Sequence, residues 1–548
     1  MSSSQRDSLP DASGLVIAAR GLPDYAASTA GNGAGGAADG ATATRDRHSS
    51  YFSSDGLVHP HDYDRDRENQ RSLGEVLQRQ PHQSVGFWDP KLNQVRKTVI
   101  IQWAGMVTFL VCAIMAVLSL YWADLFVVEK KLRNLGVNLV DFDGQVAPYD
   151  NVTPFVGPTM TQLAQETVDA VSEPSLGYAV VPPALYNFDP MAVRQAVYDW
   201  DCYAAVIIHA NATALLREAA LLGNGSYDPT GAVQIILLSA RQESSYYNYI
   251  IPQLETLTTR FGARFGAQWS RELMANTTYS RAAMARAPAA VNPGVTPLQI
   301  DLRPFQPAVA TPSVTIGLIY LIIMAFFSFS FFLPIHMFVV WRLCATVMAY
   351  LFISLAYSLV SLAFQIPFWP GPGPQTDVAF SATAYGRGSF PVYWMVNFVG
   401  MNALGIACEN VAMVIGQPWT ALWLIFWVIT NVATSFYTLE LAPGFFLWGR
   451  AWPLFHVVQA SRQILFDLHS RIGLNFGVLF AWTAVNIGLF PFCCYFMRWK
   501  TERGQRKSGD ETLGHAYAVK TADDEQVEFQ KEQGAKPPKR KRGFMRGM

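Results

Sequence analysis

Six long apolar runs alternate with polar stretches of unequal length along the chain. A helix needs about 20 apolar residues to cross roughly 30 Å of hydrocarbon. Residues 99–122, 314–335, 343–366, 392–415, 420–439 and 476–497 meet that length. Trp122, Trp341, Tyr393, Trp419 and Trp499 stand at or near their ends, where amphipathic rings favour the membrane interface. The stretch 441–473 begins apolar but then carries Arg450, His456, Arg462, Asp467, His469 and Arg471. Such charges are costly against lipid. The pattern therefore predicts a re-entrant or interfacial helical pair there, leading into the last span.

The polar segment between the first two runs reads differently. Residues 137–142 have strand character, followed by the turn pair Asp143-Gly144. Residues 178–181 and 204–208 are short buried-strand candidates, and 212–222 reads as a helix. Residues 233–238 fit a strand or the start of the next helix. Residues 246–274 have helical spacing, with interruptions expected near Pro252, Gly262 and Gly266. A Pro-rich stretch, 293–312, leads back to the membrane. Two tails complete the chain. The first, with Gly31-Asn-Gly-Ala-Gly-Gly36, has few residues that could build a core. The last is charged and ends in Lys536-Pro-Pro-Lys-Arg-Lys-Arg542. Such a tail can attract anionic lipid.

The fold class that follows is a polytopic α-helical membrane protein with six transmembrane helices and an α/β extracytoplasmic domain between the first and second. Its segments are a disordered cytoplasmic tail (1–95), a first span (96–122), the α/β domain (123–312), a five-helix membrane block (313–497) and a disordered basic tail (498–548).

Composition agrees, since 51% of residues are hydrophobic and 15% charged, against about 25% charged in ordinary soluble domains. Arg79, Lys91, Arg96 and Lys97 precede the first span, and Arg498, Lys500, Arg503, Arg506 and Lys507 follow the last. Positive-inside bias puts both termini in the cytoplasm. Lys130, Lys131 and Arg133, on the proposed outer side, oppose that assignment. Four glycosylation sequons support it. They start at Asn151, Asn211, Asn224 and Asn276, all between the first two spans, and such motifs are modified on the lumenal side. Of six cysteines only Cys202 lies in that domain. It cannot form an internal disulfide there, and reads either as a buried free thiol or as an interchain pair.

Candidate chemistry is sparse. The chain has no Gly-x-x-x-x-Gly-Lys-Ser/Thr loop, no His-Glu-x-x-His, no Cys-x-x-Cys and no Gly-x-Ser-x-Gly. It reads as a non-enzyme without a cofactor, metal or nucleic-acid partner. Asp141 and Asp143, alternate residues of one strand, could bind a cation, but no third oxygen ligand is evident nearby and a strand ending in an Asp-Gly turn is the favoured reading. The fourth run is the most polar, with Asn397, Asn402, Glu409 and Asn410. Asn402, Glu409 and Asn410, with Asn431 of the fifth run, form a candidate intramembrane polar site. Its two readings are transport or gating and interhelical packing, satisfied by Asn431 or by Asn486 of the sixth run.

At this point the chain resembles a family. Leu139-Val-Asp-Phe-Asp-Gly144 and Pro154-Phe-Val-Gly-Pro158 look like the fungal nitrosoguanidine-resistance family, which shares an uncharacterised membrane domain with bacterial phage-infection proteins. Asn211-Ala-Thr213, Tyr227-Asp-Pro229, Ala240-Arg-Gln242, Tyr249-Ile-Ile-Pro252 and Arg471-Ile-Gly-Leu-Asn-Phe-Gly477 follow in order. The likeness covers about 95–500. It implies an architecture like type-2 ABC permeases and a link to resistance against toxic small molecules. No site residues are carried over.

The expected function is therefore a transporter-like protein exporting or excluding toxic organic molecules or lipids. A separate ATPase or another energy source would be needed. The alternative is a non-transporting membrane organiser or stress-response scaffold with a cytoplasmic signalling partner. Membrane lipids are expected partners, and homodimerisation is open. The plasma membrane is the expected location, with the endoplasmic reticulum or Golgi as the alternative.

Overall fold

The computed structural model describes residues 88–170, 173–332, 338–368, 378, 385–416 and 419–532. Most of the expected N-terminal tail and the basic cluster at 536–542 lie outside the described residues. The chain divides into two units, Met1–Asn93 and Gln94–Met548, and the architecture below belongs to the second.

The first long helix, α1 (Asn93–Leu125), is apolar on all sides and largely exposed, as suits a helix facing lipid. Phe109 meets Trp419 edge-on at 5.2 Å, and Tyr121 meets Tyr437 at 6.2 Å.

An α/β domain follows. Its elements run β1 (Gly136–Asp141), α2 (Val156–Asp169), β2 (Gly177–Val181), α3 (Pro190–Tyr198), β3 (Ala204–Ile208), α4 (Ala212–Leu222), β4 (Val233–Leu237), α5 (Ile251–Ala275) and β5 (Leu298–Asp301). The sheet order is β2-β1-β3-β4-β5. β1 runs parallel to both β2 and β3, β4 is antiparallel to β3, and β5 is parallel to β4. Every residue of β3 is buried, which is why the strand reads as a continuous apolar run without alternation.

Local chemistry fixes the helix ends. Asp189 accepts the N–H of Met191 at 2.8 Å, and Pro190 occupies the first turn of α3. Gly223 closes α4 in the left-handed region. The interruption expected near Pro252 is present as a π-helical turn, Tyr246–Ile250, that leads directly into α5. Contrary to the sequence expectation, α5 is unbroken at Gly262 and Gly266. Gly262 and Gly266 have open space around them, at the edge of the stripe formed by the buried Leu254, Leu257, Phe261, Phe265, Trp269 and Leu273. β5 lies inside the stretch read as Pro-rich chain, because four residues between prolines give too short a pattern to read.

The membrane block contains α6 (Ile319–Phe332), α7 (Val339–Ala363), α8 (Ser389–Ile415), α9 (Trp419–Ser435), a 3-10 segment (Gly444–Ala451), α10 (Pro453–Phe466) and α11 (Ile472–Glu532). α8 packs against α6, α7, α9, α10 and α11 and is buried on every side, which marks it as the centre of the bundle. Among the described residues, five helical stretches are long and apolar enough to cross a membrane: Asn93–Leu125, Ala308–Phe329, Val339–Ala363, Gly386–Ile415 and Ile472–Gly504. The expected fifth span is shorter than its apolar run. α9 has 17 residues, about 26 Å at ~1.5 Å per residue, because the run's end at 436–439 leaves the helix. The stretch 441–473 holds two helical elements, the 3-10 segment and α10, before α11 begins.

The last helix continues to Glu532, where the expected disordered tail would begin at 498. Lys, Arg, Glu, Gln and Ala supply helix formers after the membrane run ends. Arg498 and Glu502 pair one turn apart at 3.1 Å.

Two of the basic residues that oppose the charge bias have structural partners. Lys131 Nζ donates to the Ala442 carbonyl at 2.5 Å, and Arg133 Nη2 donates to the Val168 carbonyl at 2.9 Å. Cys202 is a buried free thiol, and burial pushes its pKa up to about 12. This leaves it unreactive.

Candidate functional site

Three stretches quoted for the family resemblance meet at the carboxyl end of β1. The buried Asp143 carboxylate accepts the backbone N–H of Thr213 at 2.9 Å, the Thr213 hydroxyl at 2.5 Å and the N–H of Gly157 at 3.2 Å. The Thr213 hydroxyl oxygen in turn accepts the N–H groups of Phe155 and Val156 at 2.9 and 3.0 Å. Asp143 thus sits as an internal anion at the N-termini of both α2 and α4, where free N–H groups and the helix dipoles favour negative charge. Open α/β sheets commonly bind ligands beyond the carboxyl ends of their strands. Here the chain's own carboxylate fills that place. Asp141 accepts the Asp143 N–H at 2.9 Å. Burial pushes the Asp141 carboxyl up to about 7, opposed by that hydrogen bond and reinforced by the Asp143 charge. Among the described residues no group of three or more His, Cys, Asp or Glu side chains could hold a metal.

The four intramembrane candidates do not form one site. Glu409 pairs with Arg342 of α7, whose Nε donates at 2.8 Å, and both side chains are buried. Thr346 Oγ1 adds a longer hydrogen bond at 3.4 Å. Phe329 and Phe490 lie 5.5 and 5.8 Å from the guanidinium. Asn410 donates to the Asn486 carbonyl of α11 at 2.9 Å. Asn402 donates to the Phe398 carbonyl of its own helix at 2.8 Å. Asn431 donates to the Trp427 carbonyl and accepts the Leu454 N–H at 3.2 Å, capping α10 from a neighbouring helix. Glu409, Asn410 and Asn431 thus bond across helices, while Asn402 bonds only within its own. Arg342 was missed because the apolar run starts one residue after it. Its place in the first turn of α7, opposite a helix carrying the bundle's Glu, is the signal that could have found it.

The charges of 441–473 are used against the α/β domain. Arg462, buried in α10, donates to Glu243 at 2.7 Å, to the Arg241 carbonyl at 3.0 Å and to the Gln242 side chain. Asp467 pairs with Arg303 at 3.1 Å, and its carbonyl accepts the Tyr198 hydroxyl at 3.0 Å. His469 meets Asp199 at 3.0 Å. Gln242 donates to the Phe436 carbonyl at 2.5 Å, and Ser245 and Thr438 share a hydrogen bond of 2.6 Å. Burial strengthens the Arg462–Glu243 and Arg303–Asp467 contacts and makes a missing partner there costly.

Within the seam lies a cavity of about 340 Å³. Trp200, Tyr203 and Arg241 line it from the α/β domain, and His456, Arg471 and Asn475 from the membrane block. The Arg241 guanidinium stacks 3.8 Å from the Tyr203 ring and 5.0 Å from the Trp200 ring, while Arg471 lies 4.7 Å from Trp200. The Tyr203 hydroxyl donates to Glu440 at 3.1 Å, and Arg450 reaches the same carboxylate at 3.4 Å. His456 hydrogen-bonds Asn475 at 2.9 Å and the Arg450 carbonyl at 2.8 Å. Two further stretches of the resemblance, Ala240-Arg-Gln242 and Arg471 to Gly477, thus come together here, some 230 residues apart in sequence. No short motif announces such a site.

Of the four sequons, Asn151, Asn224 and Asn276 are exposed and Asn211 is half-buried. The Thr213 hydroxyl of the Asn211 sequon is the one held by Asp143.

A polytopic helical membrane protein carrying an α/β domain between its first two spans is the class that these features define. Residues 106–488 match the family described as "Protein of unknown function (DUF3533)", and the chain belongs to that family. It is similar to an uncharacterized endoplasmic reticulum membrane protein of Saccharomyces cerevisiae, 26% identical over 440 residues that cover 75% of this chain and 83% of the relative. No solved structure matches the chain.

Proposed function

We propose that the chain is a transporter-like membrane protein that binds small organic molecules or lipids at the seam cavity and exports or excludes them, conferring resistance to toxic compounds. The observation that carries this reading is the cavity itself. It is walled by both the α/β domain and the membrane helices, so a ligand in it touches both bodies. Resemblance to the nitrosoguanidine-resistance family and to type-2 ABC permeases supports it.

In this reading the α/β domain is extracytoplasmic, which agrees with four sequons confined to it. Both termini are cytoplasmic, and α9 with the adjoining 441–473 pair completes an even number of crossings. The location of the yeast relative supports the endoplasmic reticulum, and the resistance link supports the plasma membrane. The sequence carries no P-loop motif, so energy comes from a partner ATPase or a gradient.

A second reading, a non-transporting organiser, draws on Glu409. Its carboxylate is closed in an ion pair with Arg342, an arrangement suited to holding helices together. The test is a deletion strain challenged with a panel of toxins while the accumulation of each is measured. Raised accumulation of at least one toxin, reversed by the wild-type gene, supports export. Increased sensitivity with unchanged accumulation supports the organiser.

A further inference from the structure

We infer that the seam cavity takes the oxyanion head of an anionic lipid from the adjoining leaflet, with one acyl chain lying along α11. This rests on reading the cavity as the ligand site, and it adds the chemistry of the ligand.

The head end is built for an oxyanion. Arg241, Arg450 and Arg471 line the cavity against a single carboxylate, Glu440, which already accepts from Tyr203 and Arg450. The Arg471 guanidinium stacks on Trp200 and makes no hydrogen bond among the described residues, so its planar fork of donors is open to an anion. The indole Nε1 of Trp200 is buried without a hydrogen-bond partner, and that group is a donor only. Trp200 also holds φ at 71°, in the left-handed region that disfavours a bulky residue. Asn475 is 3% exposed, with an amide atom that has no partner. Either orientation of its amide beside His456 leaves a polar atom unpaired. Unsatisfied groups of this kind cost free energy in the empty cavity and regain it when a polar head binds.

The tail end is built differently. A second depression, about 560 Å³, meets the cavity at Arg450 and Leu474 and follows α11 past Gly473, Gly477, Val478 and Ala481 to Trp482. Nothing lies within 4 Å of where side chains would sit on Gly473 and Gly477. Protein packing therefore does not demand glycine there, and an outside chain lying along the helix would. Leu474 and Phe480 on the same helix are 61% and 54% exposed, which faces this surface to lipid. A water-soluble anion would fill the polar end and leave the apolar groove unused.

The test uses the full chain in nanodiscs of neutral phosphatidylcholine. The probe is phosphatidic acid with a photoactivatable group in its acyl chain, compared with the matching diacylglycerol. Inorganic phosphate at 100-fold excess serves as competitor. We expect crosslinks within 473–482, at least ten-fold stronger for phosphatidic acid than for diacylglycerol and insensitive to inorganic phosphate. Arg471→Gln and Gly477→Leu should each reduce labelling at least five-fold. A Cβ at position 477 has no atom within 4 Å, so the glycine variant remains informative if the arginine variant fails to fold. Equal labelling by the two lipids, full competition by inorganic phosphate, or labelling unchanged in Gly477→Leu would overturn the inference. A protein that is labelled but moves nothing loses the transport reading alone, and one that transports without labelling loses only the lipid.

Discussion

Asp143, at the end of β1, accepts both the backbone N–H and the hydroxyl of Thr213, at 2.9 and 2.5 Å. A single buried carboxylate thereby fixes the starts of two helices that flank the sheet. We expect Asp143→Asn to destabilise the protein by about 3 kcal/mol, the scale for losing charge-assisted hydrogen bonds and stranding their donors. Thr213→Ser, which keeps the hydroxyl, should cost far less. Thermal unfolding of the purified protein followed by tryptophan fluorescence measures both. An unchanged midpoint for Asp143→Asn would remove the clamp from the explanation of the fold.

Asp141 has the opposite sign. Burial holds its folded pKa near 7, above the ordinary aspartate value of 3.8, so the folded state keeps a proton that the unfolded chain releases. Its contribution is most favourable below about pH 4, falls as pH rises to about 7, and is flat beyond. Asp141→Asn should flatten stability against pH across that window and raise the melting temperature at pH 8. The neighbouring Gly157 has no room for a methyl group, because a Cβ there would clash with the Asp141 carboxylate. Gly157→Ala should therefore destabilise the wild type, and Asp141→Ala should recover part of the loss. A double-mutant cycle measures that coupling.

The Arg342–Glu409 pair behaves as a unit. Removing either partner leaves the other's charge buried, at a cost of about 3–5 kcal/mol. Arg342→Met combined with Glu409→Gln should recover most of that cost. Melting temperatures of the two single variants and the double variant decide it. If the double variant is as unstable as the worse single one, the pair is not a self-contained packing element.

The exposed sequons at Asn151, Asn224 and Asn276 should carry glycan when the α/β domain faces the lumen. Asn211 should be the least occupied, since Thr213 is sequestered. Single Asn→Gln variants, run before and after glycosidase digestion, count the occupied positions. Full modification at 211 with none at the other three would contradict this ranking, and no shift at all would reverse the proposed topology.

Much of the fold was legible in the sequence, and the reason differs by region. α4 matches its helical pattern end to end, and β1, β2, β3 and β4 match within about a residue, because their apolar periods are undisturbed. α5 was read as broken because Gly and Pro are local signals. Near Pro252 the break survives as the π-helical turn Tyr246–Ile250, while the glycines, with open space around them, leave the helix intact. The helical run past residue 498 was hidden by charge, which marks disorder and an exposed helix alike. The candidate site was the least legible part. Glu409 stood out as a charge in an apolar run, yet its partner Arg342 was one residue beyond the run's edge. The seam cavity joins Trp200, Arg241 and Arg471, whose proximity depends on how α10 docks against the sheet domain and leaves no mark in any one segment.

The most direct measurement is uptake into sealed vesicles reconstituted with purified protein, its energy source supplied, using a toxin that accumulates in the deletion strain. We expect flux above protein-free vesicles with the wild type and at least a ten-fold loss with Asn475→Leu, which replaces a polar group in the wall of the seam cavity with an apolar one while leaving the Arg342–Glu409 pair untouched. Flux equal to wild type in Asn475→Leu, at matched insertion and folding, would contradict a transport site in the cavity.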